Sequence, residues 1–363
     1  MKIVFVTPSL KTGGGNRVFI ELANIICKKR QVIIISPNNS SEKNNFELDG
    51  DIMVQSIGVT AKSKLTKFIN LLMTIRYVNK HNSKDIIIIS DPLLALFMVC
   101  IKSKLLYRYI QSDDYRIFDD GFILGKGFLL RIYKLLCLKS YRYKKVKYLF
   151  NSQYVYRKFC IDSQQSNVPC WIVHPALNHD IFNKGNRVYS NRGISICLVA
   201  RKHPLKGTIN FLNVLRTLET RYRSKISRVI MISHDDLSTF NTEGIEIIKP
   251  KSDKEIAATY QCADVFISTS WCEGFGLPPL EAMACGCAVI CSDAGGVNEY
   301  ALWGKNSLRF EPRDERGLKY ALIRLIEDEN LRNKLSIMGL DTARKFTWEI
   351  SAKKILDIVN LPI

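Results

Sequence analysis

No stretch of this sequence stays apolar for the roughly 20 residues a helix needs to cross a bilayer. The greasiest, residues 86–101, is interrupted by Ser90-Asp91-Pro92, which leaves nine apolar residues from 93 to 101. The apolar run at 3–6 is too short for a signal peptide, and no small-residue cleavage site follows. Membrane contact is therefore expected to be peripheral, and the chain is expected in the cytoplasm. The 11 cysteines, odd in number and scattered, include no C-x-x-C pair. That argues against a disulfide scaffold and for a reducing compartment. Cys272, Cys285, Cys287 and Cys291 match no common zinc spacing, and the five histidines form no ligand pattern, so no metal is expected. Helix-turn-helix, zinc-finger and RRM signatures are all missing, so nucleic acid is not the expected partner despite a pI near 9.4.

Acidic residues are scarce in one half only. Residues 1–200 hold 30 Lys+Arg against 13 Asp+Glu, whereas residues 201–363 hold 23 against 21. The net charge of +19 is thus almost wholly in the first half. Such asymmetry points to an anionic surface or polymer met by one domain.

With 363 residues and 47% apolar content, the chain has material for two domains with separate cores. Short Val/Ile runs at 3–6, 32–35, 86–89, 105–110 and 147–150 read as strands. So do 194–200, 228–233, 245–248, 265–269 and 288–292. Amphipathic stretches between them read as helices: 18–27 and 65–77, then 207–222, 253–261, 279–285, 315–328 and 330–345. Near-continuous apolar strands bounded by helices indicate parallel sheets buried on both faces. The expected architecture is α/β, with a doubly wound Rossmann-like domain over 1–180 and another over 190–345. Residues 346–363 form a last helix, and the join lies between 175 and 192.

The strongest chemical signal follows the strand at 265–269. Glu273-Gly274-Phe275-Gly276-Leu277 leads into Pro278-Pro279 and a helix carrying Glu281, and Gly286 ends it. Glycines before a helix start let backbone amides and the positive dipole end meet a phosphate. Glu273 and Glu281, eight residues apart, are set to reach different parts of one ligand. This stretch resembles the donor-site signature of the family 4 retaining glycosyltransferases, whose Glu-x7-Glu motif Glu273 and Glu281 match. The resemblance implies a GT-B fold, two Rossmann-like domains facing each other across a cleft with the last helix crossing back to the first. It also implies that Glu273 assists the donor sugar, Glu281 bonds the ribose, and the Gly276-Leu277 amides hold the diphosphate.

A second constellation, Arg201 to Lys206-Gly207, places two cations on a loop at a strand's carboxyl end. Fixed positive groups there would stabilise charge building on a departing diphosphate. The family has a matching Arg…Lys-Gly, so both inherit the role of clamp. A third, Gly13-Gly14-Gly15 with Arg17, is neither a P-loop nor G-x-G-x-x-G. In the family a similar loop faces the cleft, closes over the diphosphate and touches the acceptor. Where many members carry a His beside the reacting sugar, this chain has Gln111-Ser112-Asp113. That sequence looks like the rhamnosyltransferase-related branch and hints at a dTDP-sugar; Gln111 can bond a hydroxyl and Asp113 can orient the acceptor. Residues 126–147 contain eight bases, no acid and interleaved apolar side chains, which suits a basic amphipathic helix on an anionic bilayer.

These features lead to a metal-independent, retaining hexosyltransferase, peripheral to the inner face of the plasma membrane and without a cofactor. Its donor is a nucleotide-diphosphate sugar, dTDP- or UDP-linked. Its acceptor is a glycan or lipid-linked glycan of a cell-envelope polysaccharide such as O-antigen or capsule. The rivals are a soluble small-molecule glycosyltransferase, which would ignore anionic liposomes, a nucleic-acid-binding protein, and an inactive scaffold that binds no nucleotide.

Overall fold

A computed structural model describes residues 1–10, 14–39, 47–112, 128–165, 168–185 and 193–361. Gly13 and Asp113, and Lys126 at the start of the basic segment, lie outside the described residues. The chain divides into two compact units, Met1–Ala176 with Trp348–Ile363, and Leu177–Thr347.

In the first unit seven parallel strands run in the order β3-β2-β1-β4-β5-β6-β7. They are β1 (Ile3–Val6), β2 (Val32–Pro37), β3 (Met53–Ile57), β4 (Ile86–Ile89), β5 (Leu106–Ile110), β6 (Val146–Phe150) and β7 (Cys170–Ile172). The four-isoleucine β4 is buried throughout, as a central strand covered on both faces must be. One face packs Val4, Val6, Ile33, Ile87 and Ile89 against α2 (Lys64–His81), α3 (Pro92–Leu96), α4 (Phe128–Ser140) and α5 (Gln153–Ser163). α1 (Gly14–Ile26) instead packs on α12 (Trp348–Val359), the last helix of the chain.

The second unit is a six-stranded parallel sheet in the order β10-β9-β8-β11-β12-β13. Its strands are β8 (Ile194–Val199), β9 (Ile226–Ile232), β10 (Glu246–Ile248), β11 (Val265–Ser268), β12 (Ala288–Ser292) and β13 (Ser307–Phe310). Its helices are α6 (Thr208–Arg216), α7 (Thr220–Arg223), α8 (Asp253–Gln261), α9 (Leu277–Ala284), α10 (Glu315–Glu327) and α11 (Glu329–Ala343). The strand order reverses between β1 and β4 in one unit and between β8 and β11 in the other. The carboxyl ends at such reversals are where doubly wound sheets take ligands.

Three strands escape the sequence reading: β3, β7 and β13. The helix expected over 207–222 is two, α6 and α7. The basic segment 126–147 is also not one helix. It is helical over Phe128–Ser140, turns, and enters β6 at Val146. Pairing decides this: Val146–Phe150 lies in register between β5 and β7. The turn also serves Arg108, fully buried in β5, whose Nη1 donates to Ser140 Oγ at 2.7 Å and whose guanidinium sits 4.7 Å from the Tyr141 ring. A buried cation without such partners would cost several kcal/mol. Lys144, Lys145 and Lys147 therefore belong to a loop and a strand, not to a helix face.

Candidate active site

In the second unit the chain after β8 forms a 3₁₀ turn, Pro204–Lys206, closed by Gly207 at φ +62°. A Cβ on Gly207 would lie 2.1 Å from the Thr269 carbonyl oxygen, so glycine alone permits this approach. Thr269 Oγ1 donates to the Lys206 carbonyl at 2.9 Å, and the Trp271 amide to Leu205 at 2.7 Å. The segment after β11 is thereby laid along the turn. Lys206 Nζ arrives 2.5 Å from Glu273 Oε1, although 67 residues separate them. The Glu273 side chain is only 18% exposed, which strengthens a charge-assisted bond.

Glu273 is fixed from the other side as well. Its amide donates to Ala294 at 2.7 Å, and its carbonyl accepts from Gly296 at 2.9 Å. A Cβ on Gly296 would meet the Gly274 oxygen at 2.0 Å. Gly276, at φ +81°, lies against Val297, and its carbonyl accepts a hydrogen bond from the Tyr300 hydroxyl. The chain then turns into α9 with Pro278 and Pro279 in its first turn, where a missing N–H is harmless. The first amides of a helix have no partner within it. Gly276 lies beside Glu273, since a Cβ on it would fall 3.5 Å from the Glu273 Cβ. Glu281 is buried within α9, 4% exposed, and accepts from the Tyr260 hydroxyl at 3.4 Å. Burial first, and then the Glu281 charge, pushes the Tyr260 phenol well up, so it remains a donor.

Arg201 takes a different direction from Lys206. Its Nε donates to Asp235 Oδ2 at 3.0 Å, and the Lys202 amide donates to the same oxygen at 2.8 Å. Burial alone would raise the Asp235 carboxyl, but the Lys202 amide and the Arg201 guanidinium outweigh it and hold it below its ordinary range. Beside Gly207, Trp271 Nε1 donates to Asn210 Oδ1 at 2.9 Å, and the Arg313 guanidinium lies 3.9 Å from the Trp271 ring. Asp235, Tyr260, Trp271 and Tyr300 were not singled out from the sequence as site residues. Each is a lone polar or aromatic side chain with no local pattern around it.

In the first unit Gly14, Gly15 and Arg17 lie in the first turn of α1, not in the loop before it. Gln111, just past β5, donates through Nε2 to the Gly15 carbonyl at 3.1 Å and to Ser90 Oγ at 2.8 Å. Asn151 Nδ2, past β6, donates to the Gln111 carbonyl at 2.6 Å. Thus Gly15, Ser90, Gln111 and Asn151 meet at the carboxyl ends of four neighbouring strands, with Arg17 half-buried one step along α1.

Among the described residues no group of three or more His, Cys, Asp or Glu is placed to hold a metal ion. Cys285, Cys287 and Cys291 are buried in the core, and Cys287 Sγ donates to the Tyr260 and Ala263 carbonyls. No helix of the described residues is long and apolar enough to cross a membrane.

Residues 193–339 match the family model "Glycosyl transferases group 1". An uncharacterized glycosyltransferase of Methanocaldococcus jannaschii is 35% identical over 109 residues, 30% of this chain and 31% of that one. O-antigen chain mannosyltransferase B of Escherichia coli is 34% identical over 97 residues, 27% and 25% of the two chains. The chain spans less than half the length of these curated relatives. Among solved structures, sucrose-phosphate synthase from Thermosynechococcus elongatus superposes with a TM-score of 0.81, at 13% identity and 98% of each chain. Anabaena HepE, in complex with UDP and glucose, gives 0.74, at 15% identity over 99% of this chain and 100% of the other. The fold is therefore that of the GT-B glycosyltransferases, and residues 193–339, less than half of the chain, are similar to the glycosyl transferases group 1 family.

Proposed function

We propose that this chain transfers a sugar from a nucleotide-diphosphate donor to a glycan or lipid-linked acceptor with retention of configuration, in cell-envelope polysaccharide synthesis at the inner face of the plasma membrane. The observation that carries the donor half is the Lys206–Glu273 pair at the β8/β11 switch point, beside the mouth of α9. A diphosphate entering this crevice draws Lys206 from Glu273 and takes the Gly276 and Leu277 amides. The freed Glu273 carboxylate then accepts bonds from the sugar, and Glu281 from the ribose. As the sugar–phosphate bond lengthens, charge grows on the diphosphate, and Lys206 and the α9 amides hold the transition state more tightly than the ground state. Arg201 joins this clamp by exchanging Asp235 for the departing phosphate. An acceptor hydroxyl attacks on the face that the diphosphate leaves, its proton passes to the departing diphosphate oxygen as the sugar–phosphate bond breaks, and the same-face attack gives retention.

The acceptor is assigned to the basic first unit, where Gly15, Arg17 and Gln111 offer donors and acceptors to hydroxyls. The E. coli relative, an O-antigen chain mannosyltransferase, supports an envelope glycan, and the HepE complex supports a UDP-linked donor; a dTDP-sugar is the alternative. The test is a thermal-denaturation screen of nucleotide sugars. Saturation at 100 times Kd adds about 2.7 kcal/mol of stability. A UDP- or dTDP-sugar should raise the melt, and Lys206→Ala should abolish the rise. A rise retained in Lys206→Ala overturns the clamp, and no rise with any nucleotide sugar overturns the function.

A further inference from the structure

Helix α2 is apolar on two opposite faces. Asn70, Leu71, Thr74, Ile75 and Val78 turn inward to the first unit's core. Leu65, Phe68, Ile69, Leu72 and Met73 fall on the opposite side and are 41–69% exposed. A helix that is apolar all round normally has something against both sides. Here the outward stripe is bare across the first three turns, and its basic residues Lys64, Lys67, Arg76 and Lys80 are exposed around it. From residue 52 to residue 84 there is no Asp or Glu.

The surface extends sideways. The Phe68 and Phe97 rings sit edge to face at 6.2 Å, and Asn79 bonds the Cys100 carbonyl and the Lys102 amide at 2.7 and 2.8 Å. This joins α2 to the α3 segment, whose Leu93 and Val99 are 48% and 66% exposed. α3 in turn packs on α4, which exposes Phe128, Leu135 and Leu136 beside Arg131 and Lys139. Three adjacent helical segments thus present one apolar surface fringed by bases. The exposed stripe of α2 lies toward its start, which follows parallel β3 and so sits near the carboxyl rim that holds Gly15 and Gln111.

We infer that the outward face of α2, flanked by α3 and α4, is a docking surface for an anionic lipid bilayer, with Leu65, Phe68 and Leu72 entering the boundary between headgroups and acyl chains. Bare apolar side chains bordered by bases, on a helix with no Asp or Glu from 52 to 84, are what an anionic interface takes up. A second copy of this chain fits less well, because a symmetric contact would oppose the two basic fringes. The inference rests on the membrane side of the function proposed above and not on its chemistry. It moves the main contact from residues 126–147 to α2.

The experiment is co-sedimentation of the full chain with vesicles of phosphatidylcholine alone or with one third phosphatidylglycerol, without donor. Binding to the anionic vesicles only, weakened by 1 M salt, is expected, since the screening length falls from about 10 Å to about 3 Å. Phe68→Glu with Leu72→Glu should cut partitioning by roughly tenfold or more, as two apolar side chains no longer enter the lipid. Arg131→Glu with Lys139→Glu on α4 should cut it less. Both positions on α2 are exposed, so an unchanged melting temperature confirms that the variant folds. Phe68→Trp should also show blue-shifted emission with anionic vesicles, quenched by brominated acyl chains. Loss with the α4 variant but not the α2 variant would overturn the assignment while leaving the membrane reading intact. No binding by the unmodified chain would overturn both, even if nucleotide sugars still raise the melt. Concentration-dependent dimerisation lost in the α2 variant, without vesicle binding, would show a second copy as the occupant.

Discussion

Gly207 and Gly244 share a left-handed backbone, at φ +62° and +69°, but not their surroundings. A Cβ on Gly244 has nothing within 4 Å, whereas one on Gly207 would meet the Thr269 oxygen at 2.1 Å. Alanine at either position incurs about 1–2 kcal/mol for the left-handed conformation. At Gly207 the turn must also retreat by about 1.3 Å or more to reach ordinary van der Waals contact. That retreat breaks the Thr269–Lys206 and Trp271–Leu205 hydrogen bonds, each about 1 kcal/mol net. Gly207→Ala should therefore lose about 3–4 kcal/mol against 1–2 for Gly244→Ala, and at ~2–4 °C per kcal/mol the calorimetric melts of the second unit separate clearly. The functional consequence is sharper. Moving the turn withdraws Lys206 from Glu273, so stabilisation by a UDP- or dTDP-sugar should weaken at least tenfold in apparent Kd in Gly207→Ala and stay unchanged in Gly244→Ala. Equal melts for the two variants, or donor binding retained in Gly207→Ala, would refute the view that Gly207 sets the cation's position.

Tyr300→Phe removes the donor to the Gly276 carbonyl and leaves a buried acceptor, so it should lower stability by about 1–3 kcal/mol in chemical denaturation, more than Tyr320→Phe on the surface. Asp235, with its folded-state carboxyl held below the ordinary value of 3.8, contributes stability above that value and loses it as pH falls through the folded one. Asp235→Asn should thus flatten the stability–pH curve below about pH 4 and leave its slope near pH 7 unaltered; an unchanged acid limb would refute the pairing with Arg201. Gln111→Leu strips one hydrogen bond from Gly15 and one from Ser90 and should reduce transfer to acceptor by roughly tenfold or more, with donor stabilisation intact. A fall in donor stabilisation instead would place Gln111 in donor binding.

Central strands were legible because they are continuous Val/Ile runs, and a strand buried on both faces has no polar alternation to confuse it. The strands that went unread are edges. β3 is mostly exposed, β7 has three half-buried residues, and β13 carries Arg309 into its salt bridge with Asp293. The α9 mouth was legible for another reason: Glu273, the glycines, the prolines and Glu281 are contiguous, so one loop-to-helix turn places them all. Lys206 meets Glu273 only because two loops cross at the switch point, and no spacing within either loop encodes that crossing. The direction of Arg201 was equally hidden, since Asp235 follows a different strand. Residues 126–147 misled by composition, which is blind to the register that takes Val146–Phe150 into the sheet.

The two switch points are built alike and differ in charge. In each unit the chain after the first strand is pinned from neighbouring strand ends, at Gly15 by Gln111 in one and at Leu205–Lys206 by Thr269, Trp271 and Glu273 in the other. The bonds that hold the Gly15 turn come from a neutral amide. Those at Gly207 end on an ion pair 2.5 Å long with a mostly buried carboxylate. A neutral pin stays in place whatever the charge of its visitor. An ion pair yields to a stronger anion, and a diphosphate is one, so under the proposed function the site in the second unit would exchange partners when occupied while the one in the first would not. Breaking such a pair without replacement is unfavourable, because Glu273 would be left uncompensated. A bare phosphate can recruit Lys206 yet offers Glu273 nothing, whereas a sugar diphosphate brings hydroxyl donors to it in the same step. The proposed function therefore predicts that the intact nucleotide sugar raises the melt more than the nucleotide diphosphate alone at equal concentration, and the reverse order would refute the exchange at Glu273.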